Sequence, residues 1–102
     1  MINDATALRD ILDAVSNDYE SFDLITQQVL KWAADDGRTA TPGDVLDLLQ
    51  VVTREGYVQA YLLSTNPPYA EPVAFSPSRL EELWFRITPE GKQHLLKLAA
   101  GT

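Results

Sequence analysis

Residues 41–57, TPGDVLDLLQVVTREGY, contain the start, the end and the buried face of one helix. Thr41 can cap the first turn, Pro42 is favoured at the first helical position, and Asp44 places negative charge near the positive end of the helix dipole. Gly56 ends the helix because glycine tolerates a positive φ. The i, i+3, i+4, i+7 spacing of one helix face is followed by Val45, Leu48, Leu49 and Val52. This stretch therefore predicts an amphipathic helix that leads directly into a strand-like segment.

Two further helices are predicted before this one, over residues 4–16 and 21–35. Asn3 or Asp4 can cap the first of them. Its apolar stripe consists of Leu8, Ile11, Leu12 and Val15. One face of the second helix carries Phe22, Ile25, Val29, Trp32 and Ala33. Because Trp32 shares that face, we expect it in the core.

After Gly56 the apolar period changes from that of a helix to that of a strand. Residues 58–64 and 82–88 alternate between two faces and are predicted to pair as an antiparallel hairpin. One face carries Val58, Ala60, Leu62, Leu83, Phe85 and Ile87, and the other carries Gln59, Tyr61, Leu63, Trp84 and Arg86. Residues 65–79 contain four prolines, which exclude a central strand, so a long connecting loop is predicted there with one helical turn near Ser78.

A last helix is predicted from Thr88 and Pro89, which repeat the Thr-Pro start of the third helix, to about Ala100. Its main stripe is Lys92, Leu95, Leu96 and Ala99, with Leu98 outside it. The fold class is therefore α+β: a three-helix core, a two-stranded antiparallel hairpin and a C-terminal helix. The length allows one domain, residues 1–102.

Composition restricts the classes of function. The net charge of −7 opposes binding to nucleic-acid phosphates and to anionic lipid. The absence of cysteine excludes disulfides and thiolate chemistry. The first ten residues, MINDATALRD, lack the basic and apolar regions of a signal peptide, and no apolar run approaches the ~20 residues that span a membrane. We therefore expect a cytoplasmic protein without a membrane segment.

Two short motifs give the chain a resemblance to the winged-helix superfamily. Residues 54–58, REGYV, resemble the turn from the recognition helix into the wing strand. Residues 85–91, FRITPEG, are similar to the aromatic-x-Leu-Thr-x-x-Gly closing of the wing in bacterial MarR-like and PadR-like regulators, with Ile87 in place of the common leucine. The order of the predicted elements is also that of a winged helix. The resemblance extends from about Ala5 to Ala99 and implies a winged-helix fold.

In those families the helix that matches residues 41–55 enters the DNA major groove, and the loop that matches residues 65–79 touches the DNA backbone. On this helix, the buried stripe places Gly43, Asp47, Gln50 and Arg54 outermost, with Asp44 and Val51 beside them. That face has two carboxylates and one guanidinium, whereas DNA binding needs several cations near phosphates. Two functions stay open: a DNA-binding transcriptional regulator, and a regulatory protein-interaction module, which the charge favours. Partner contact is predicted at Asp44, Asp47, Gln50, Arg54 and, in the loop, Tyr69.

The sequence offers no constellation for an enzyme, a cofactor or a metal. His94 is the single histidine and is expected on the surface, because no second histidine and no cysteine can join it as a ligand. Phe75 is expected to fold back over the sheet, and Trp84 is either covered by the last helix or exposed in a dimer interface. A homodimer through the terminal helices is predicted from their apolar stripes, against the alternative that both stripes close the monomer core.

Overall fold

A computed structural model describes residues 5–100 and shows a mixed α+β domain. Its elements, in chain order, are α1 (Ala5–Ala14), β1 (Glu20–Ser21), α2 (Phe22–Asp35), α3 (Pro42–Arg54), β2 (Val58–Leu63), β3 (Ala70–Val73), a 3-10 helix (Pro77–Glu82), β4 (Trp84–Ile87) and α4 (Pro89–Ala100). The predicted cap of the first helix, at Asn3 or Asp4, lies outside the described residues.

The strands form one antiparallel sheet in the order β1-β4-β2-β3. The predicted pairing of the two long strand segments is confirmed, from Val58 opposite Ile87 to Tyr61 opposite Trp84. The predicted size of the sheet is wrong, because β1 and β3 extend the expected two-stranded hairpin at its two edges. β1 has only two residues, too few for an alternating pattern to reveal it.

The prediction of a long connecting loop over residues 65–79 is wrong in one respect, because it missed a strand. The segment contains β3 and most of the 3-10 helix, which begins at Pro77 close to the turn predicted at Ser78. Pro72 lies within β3, opposite Tyr61. An edge strand can hold a proline because the backbone on its outer side faces solvent and needs no ladder hydrogen bond. The prolines thus excluded a central strand, as predicted, but permitted an edge strand.

The start and end of α3 agree with the sequence prediction. Asp44 N–H donates to Thr41 Oγ1 at 3.1 Å, and Thr41 N–H donates to Asp44 Oδ2 at 3.0 Å, which is a complete capping box. Gly56 has φ of +81°, the left-handed conformation that ends the helix at low cost. This short junction places the end of α3 directly at the start of β2.

The core lies between the helices and one face of the sheet, which we call the inner face. It contains Ile11, Leu12, Val15, Ile25, Val29, Val45, Leu48, Leu49, Val52, Val58, Ala60, Leu83, Phe85 and Ile87. Trp32 is half-buried and stands outside this core, contrary to prediction. The buried stripe of α2 is centred near Val29 and includes Thr26, so Trp32 lies at its margin, where a large ring cannot be fully covered.

The buried face of α4 differs from the predicted one. Gly91 is buried, Leu95 and Leu98 pack against the core, and Leu96 is exposed. A Cβ on Gly91 would overlap the carbonyl oxygen of Tyr57. Because Gly91 has no side chain, α4 can pack closely against the backbone of Tyr57 at this position. The predicted stripe, based on the leucines, was displaced from the observed buried face by one residue, which is roughly 100° around the helix.

Candidate interaction surfaces

The outward side of α3 carries three of the predicted partner-binding residues. Asp47 and Arg54 are exposed, Gln50 is half-buried, and the neighbouring Val51 is 36% exposed. Asp44 differs from them because its carboxylate already accepts the Thr41 N–H in the capping box. The surface of α3 available to a partner is therefore Asp47, Gln50, Val51 and Arg54, which has no excess of either charge.

Tyr69 lies apart from that surface. It is 63% exposed and its carbonyl oxygen accepts the N–H of Ser64, at the turn between β2 and β3. The six residues of β2 separate this turn from the end of α3, a distance of about 20 Å at the usual rise of a strand. The structure thus divides the predicted site residues into two groups, one on α3 and one at the hairpin turn.

Several cations are held by carboxylates of the chain itself. The side chain of Arg79 bonds to Glu82 at 3.3 Å, and this pair raises the pKa of Arg79 and lowers the pKa of Glu82. Lys31 pairs with Asp35 at 3.2 Å on α2. Arg79 is the one cation of the predicted wing loop, residues 65–79, and its charge is balanced by Glu82.

Arg38 forms the most buried ion pair among the described residues. One terminal nitrogen lies 2.7 Å from Asp10 and 3.0 Å from Asp36. The hydrogen bond to Asp10 is the main cause of a raised pKa at Arg38. Because Asp10 lies on α1 and Arg38 follows α2, this contact joins two helices of the core and has a structural role.

Phe75 folds back onto the protein, as predicted. Its ring lies 5.8 Å from the ring of Phe85, and Leu80 of the 3-10 helix also packs against the core. The connection between β3 and β4 therefore closes one side of the core. Tyr69 is the remaining exposed aromatic residue of residues 65–79.

The face of the sheet that points away from the core, which we call the outer face, carries a cluster of which only Trp84 was predicted as a possible interface residue. The ring of Tyr19 meets that of Tyr61 edge-on at 5.0 Å, and the guanidinium of Arg86 lies 5.1 Å from the centre of the Tyr19 ring. Trp84 is the cross-strand neighbour of Tyr61. The available signal was the alternation of β2 and β4, which places Tyr61, Trp84 and Arg86 on one side.

Trp84 lies on the outer face, whereas α4 packs against the opposite side of the sheet. The neighbour of Trp84 in the chain, Phe85, is fully buried, and successive side chains of a strand point to opposite faces. Gly91 of α4 lies against Ile87, which faces the core with Phe85. The last helix therefore does not cover Trp84.

His94 stacks on Tyr57, with the ring centres 4.5 Å apart and the planes within 10°. It is half-buried in this contact, so it supports the junction of α4 with β2 as well as meeting solvent. Within residues 5–100 there is no group of three or more His, Asp or Glu side chains arranged to hold a metal ion. None of the described helices is both long and apolar enough to cross a bilayer.

Comparisons of the chain with protein-family models, with curated proteins and with solved structures each gave no match.

Proposed function

We propose that this chain is a non-enzymatic, winged-helix-like domain that works as a regulatory protein-interaction module, with the outward side of α3 as its partner-binding surface. The four helices and the paired strands β2 and β4 follow the order on which the winged-helix resemblance was based, and β1, β3 and the 3-10 helix are additional to it. The observation that carries the proposal is the charge of that side of α3. It has one exposed acidic residue, Asp47, and one exposed basic residue, Arg54, with the exposed Val51 beside them. A mixed, partly apolar helix face suits a protein surface better than a phosphate backbone.

The contacts of four other cations support the same conclusion. Lys31, Arg38 and Arg79 are paired with carboxylates, and Arg86 is stacked on Tyr19. Neutralised cations release few counterions when they meet DNA, so they add little affinity. Neither α3 nor the hairpin presents the row of free cations on which non-specific DNA affinity depends.

A DNA-binding regulator is the second candidate. Arg54 is exposed and forms no ion pair with a described carboxylate, and Gln50 lies one turn before it on α3. Arginine and glutamine are side chains that hydrogen-bond to base edges. This candidate would use α3 and the hairpin turn together.

A duplex-DNA titration separates the two candidates. We expect fluorescence anisotropy with a labelled random 30-base-pair duplex to give a Kd weaker than about 10 μM at 150 mM salt, within the non-specific range or below it. Arg54→Ala should leave that value unchanged. Sub-micromolar affinity that falls with added salt and with Arg54→Ala would establish the DNA-binding function instead.

Site-specific photocrosslinking tests the protein-interaction module directly. A benzoylphenylalanine at position 51 should give a discrete protein adduct in the native host cells, and one at position 24 should not. Leu24 is a matched control because it is also an exposed aliphatic residue, on α2. The charge reversal Asp47→Lys with Arg54→Glu should remove the adduct. An adduct that survives this reversal, or no adduct at position 51, would refute the assignment of α3.

A further inference from the structure

We propose that the outer face of the sheet is the interface of a homodimer, in which a second copy of this chain stacks face to face on it. The residues of this face are Tyr19, Ser21, Gln59, Tyr61, Leu63, Ala70, Pro72, Trp84 and Arg86. The proposal concerns a surface other than α3, so it is independent of the partner-binding function.

The register of the strands defines this face. Tyr61 lies between Pro72 on β3 and Trp84 on β4, and Leu63 lies opposite Ala70. An antiparallel sheet with one face in the core and one in water normally alternates apolar and polar residues. Gln59 and Arg86 follow this pattern, but apolar or aromatic side chains occupy other outward positions on three adjacent strands: Tyr61 and Leu63 on β2, Ala70 and Pro72 on β3, and Trp84 on β4. Leu63, at 40% exposed, leaves part of this surface uncovered in the monomer.

The charge of the face favours a second copy of this acidic chain. None of its nine residues is acidic, although the chain has 15 acidic residues and a net charge of −7. Two copies that approach by an acidic side bring carboxylates together, and like charges across an interface cost affinity. The outer face brings no carboxylates of its own strands together in such a pairing. Its tyrosine, tryptophan and arginine side chains are also the types most enriched at energetically important interface positions.

The terminal helices offer less surface for a dimer than the sequence predicted. Ile11 and Leu12 of α1, and Val15 just after it, are fully buried in the monomer, and Leu98 packs against the core. On α4 the exposed leucine is Leu96. The structure therefore supports the alternative in which both stripes close the monomer core, and the outer face becomes the surface for self-association.

The edges of the sheet are poorly suited to pairing between copies. β1 has two residues, and β3 contains Pro72, which has no N–H to donate. Stacking by the face needs no free backbone groups. Two sheets pack in this way at about 10 Å, with their facing side chains interdigitated.

Analytical ultracentrifugation of the wild-type chain from 2 to 500 μM tests the proposal. We expect a mass that rises from 11.3 kDa towards twice that value with concentration. Leu63→Glu should weaken the association at least tenfold. Leu96→Glu is the matched control: the same substitution, at a leucine 69% exposed on α4, should leave it unchanged.

A second measurement leaves the proposed interface unmutated. Trp32→Phe removes the tryptophan of α2, so that Trp84 becomes the only indole in the chain. Its emission should shift to shorter wavelength, and acrylamide quenching should fall at least twofold, over the concentration range in which the mass doubles. This readout applies even if Leu63→Glu impairs folding.

Three results would overturn the proposal: a mass of 11.3 kDa at every concentration, association that Leu96→Glu weakens as much as Leu63→Glu does, or association without a change at Trp84. The first result would mean that the outer face binds a different protein, if it binds any. The second would favour the dimer through the terminal helices that the sequence predicted. Crosslinking at position 51 reports on α3 separately, so failure of the dimer and failure of the partner-binding function are distinguishable.

Discussion

The two faces of the sheet use apolar side chains in different ways. On the inner face, Ala60, Phe85 and Ile87 are buried by the helices and contribute to folding. On the outer face, Tyr61 and Trp84 are half-buried, with Tyr19 providing partial cover from the segment before β1. The inner face is mainly aliphatic with one phenylalanine, whereas the outer face has rings with polar groups and a guanidinium.

The side-chain types of the two faces suit different roles: those of the inner face suit stability, and those of the outer face suit recognition. Aliphatic side chains and phenylalanine have no polar atoms to satisfy, so they can be fully enclosed. Tyrosine and tryptophan combine a large apolar surface with a polar group, which suits a surface that alternates between water and a partner. Substitutions on the inner face should therefore act on folding, and those on the outer face mainly on association.

The largest expected effect is at Phe85. Phe85→Ala should lower the free energy of unfolding by about 3–5 kcal/mol, because a fully buried ring leaves a cavity at the centre of the core. Trp84→Ala, one residue away on the outer face, should cost about 1–2 kcal/mol since less of its surface is removed from water. Urea denaturation at low micromolar concentration measures both. Equal losses would show that the outer face is part of the folding core.

A substitution at Gly91 tests how α4 packs against the sheet. Gly91→Ala should cost about 1–3 kcal/mol because the added methyl would collide with the backbone of Tyr57 and displace α4. Gly43→Ala is the control, since its Cβ would meet only Thr41 Oγ1 at 3.7 Å, and alanine favours the helix. Thermal unfolding should show a lower Tm for the first and an equal or higher Tm for the second. A neutral Gly91→Ala would mean that α4 is not held by this contact.

The inner face could be predicted from the sequence and much of the outer architecture could not, for identifiable reasons. The periodicity of α3, β2 and β4 is regular, and their core residues were assigned correctly. β1 is too short to have a period, and Pro72 masked an edge strand that tolerates it. The face that α4 buries depends on Gly91, and a glycine does not contribute to the apolar stripe from which a buried face is predicted.

The candidate sites were predicted less completely than the fold. Asp47, Gln50 and Arg54 lie on the outward side of α3, as their helical spacing required. The cluster on the outer face joins Tyr19, which precedes β1, with residues of β2 and β4. The pairing of β2 with β4 and the shared face of Tyr61, Trp84 and Arg86 were predicted from strand alternation. The addition of Tyr19 depends on β1 lying beside β4, and spacing along the chain does not contain that information.

The smallest expected effect concerns Arg86, the single cation of the outer face. Arg86→Met keeps an apolar stem but removes the charge that lies 5.1 Å from the centre of the Tyr19 ring. The free energy of unfolding should fall by about 0.5–1 kcal/mol, the usual range for a solvent-accessible cation–π contact. Arg86→Lys, which retains a cation, should recover part of that loss. Because the guanidinium of Arg86 lies over the Tyr19 ring, Tyr19→Leu should reduce the difference between the arginine and methionine forms. A double-mutant cycle by urea denaturation measures that coupling. A coupling energy of zero would show that the guanidinium is held on the outer face by something other than the ring.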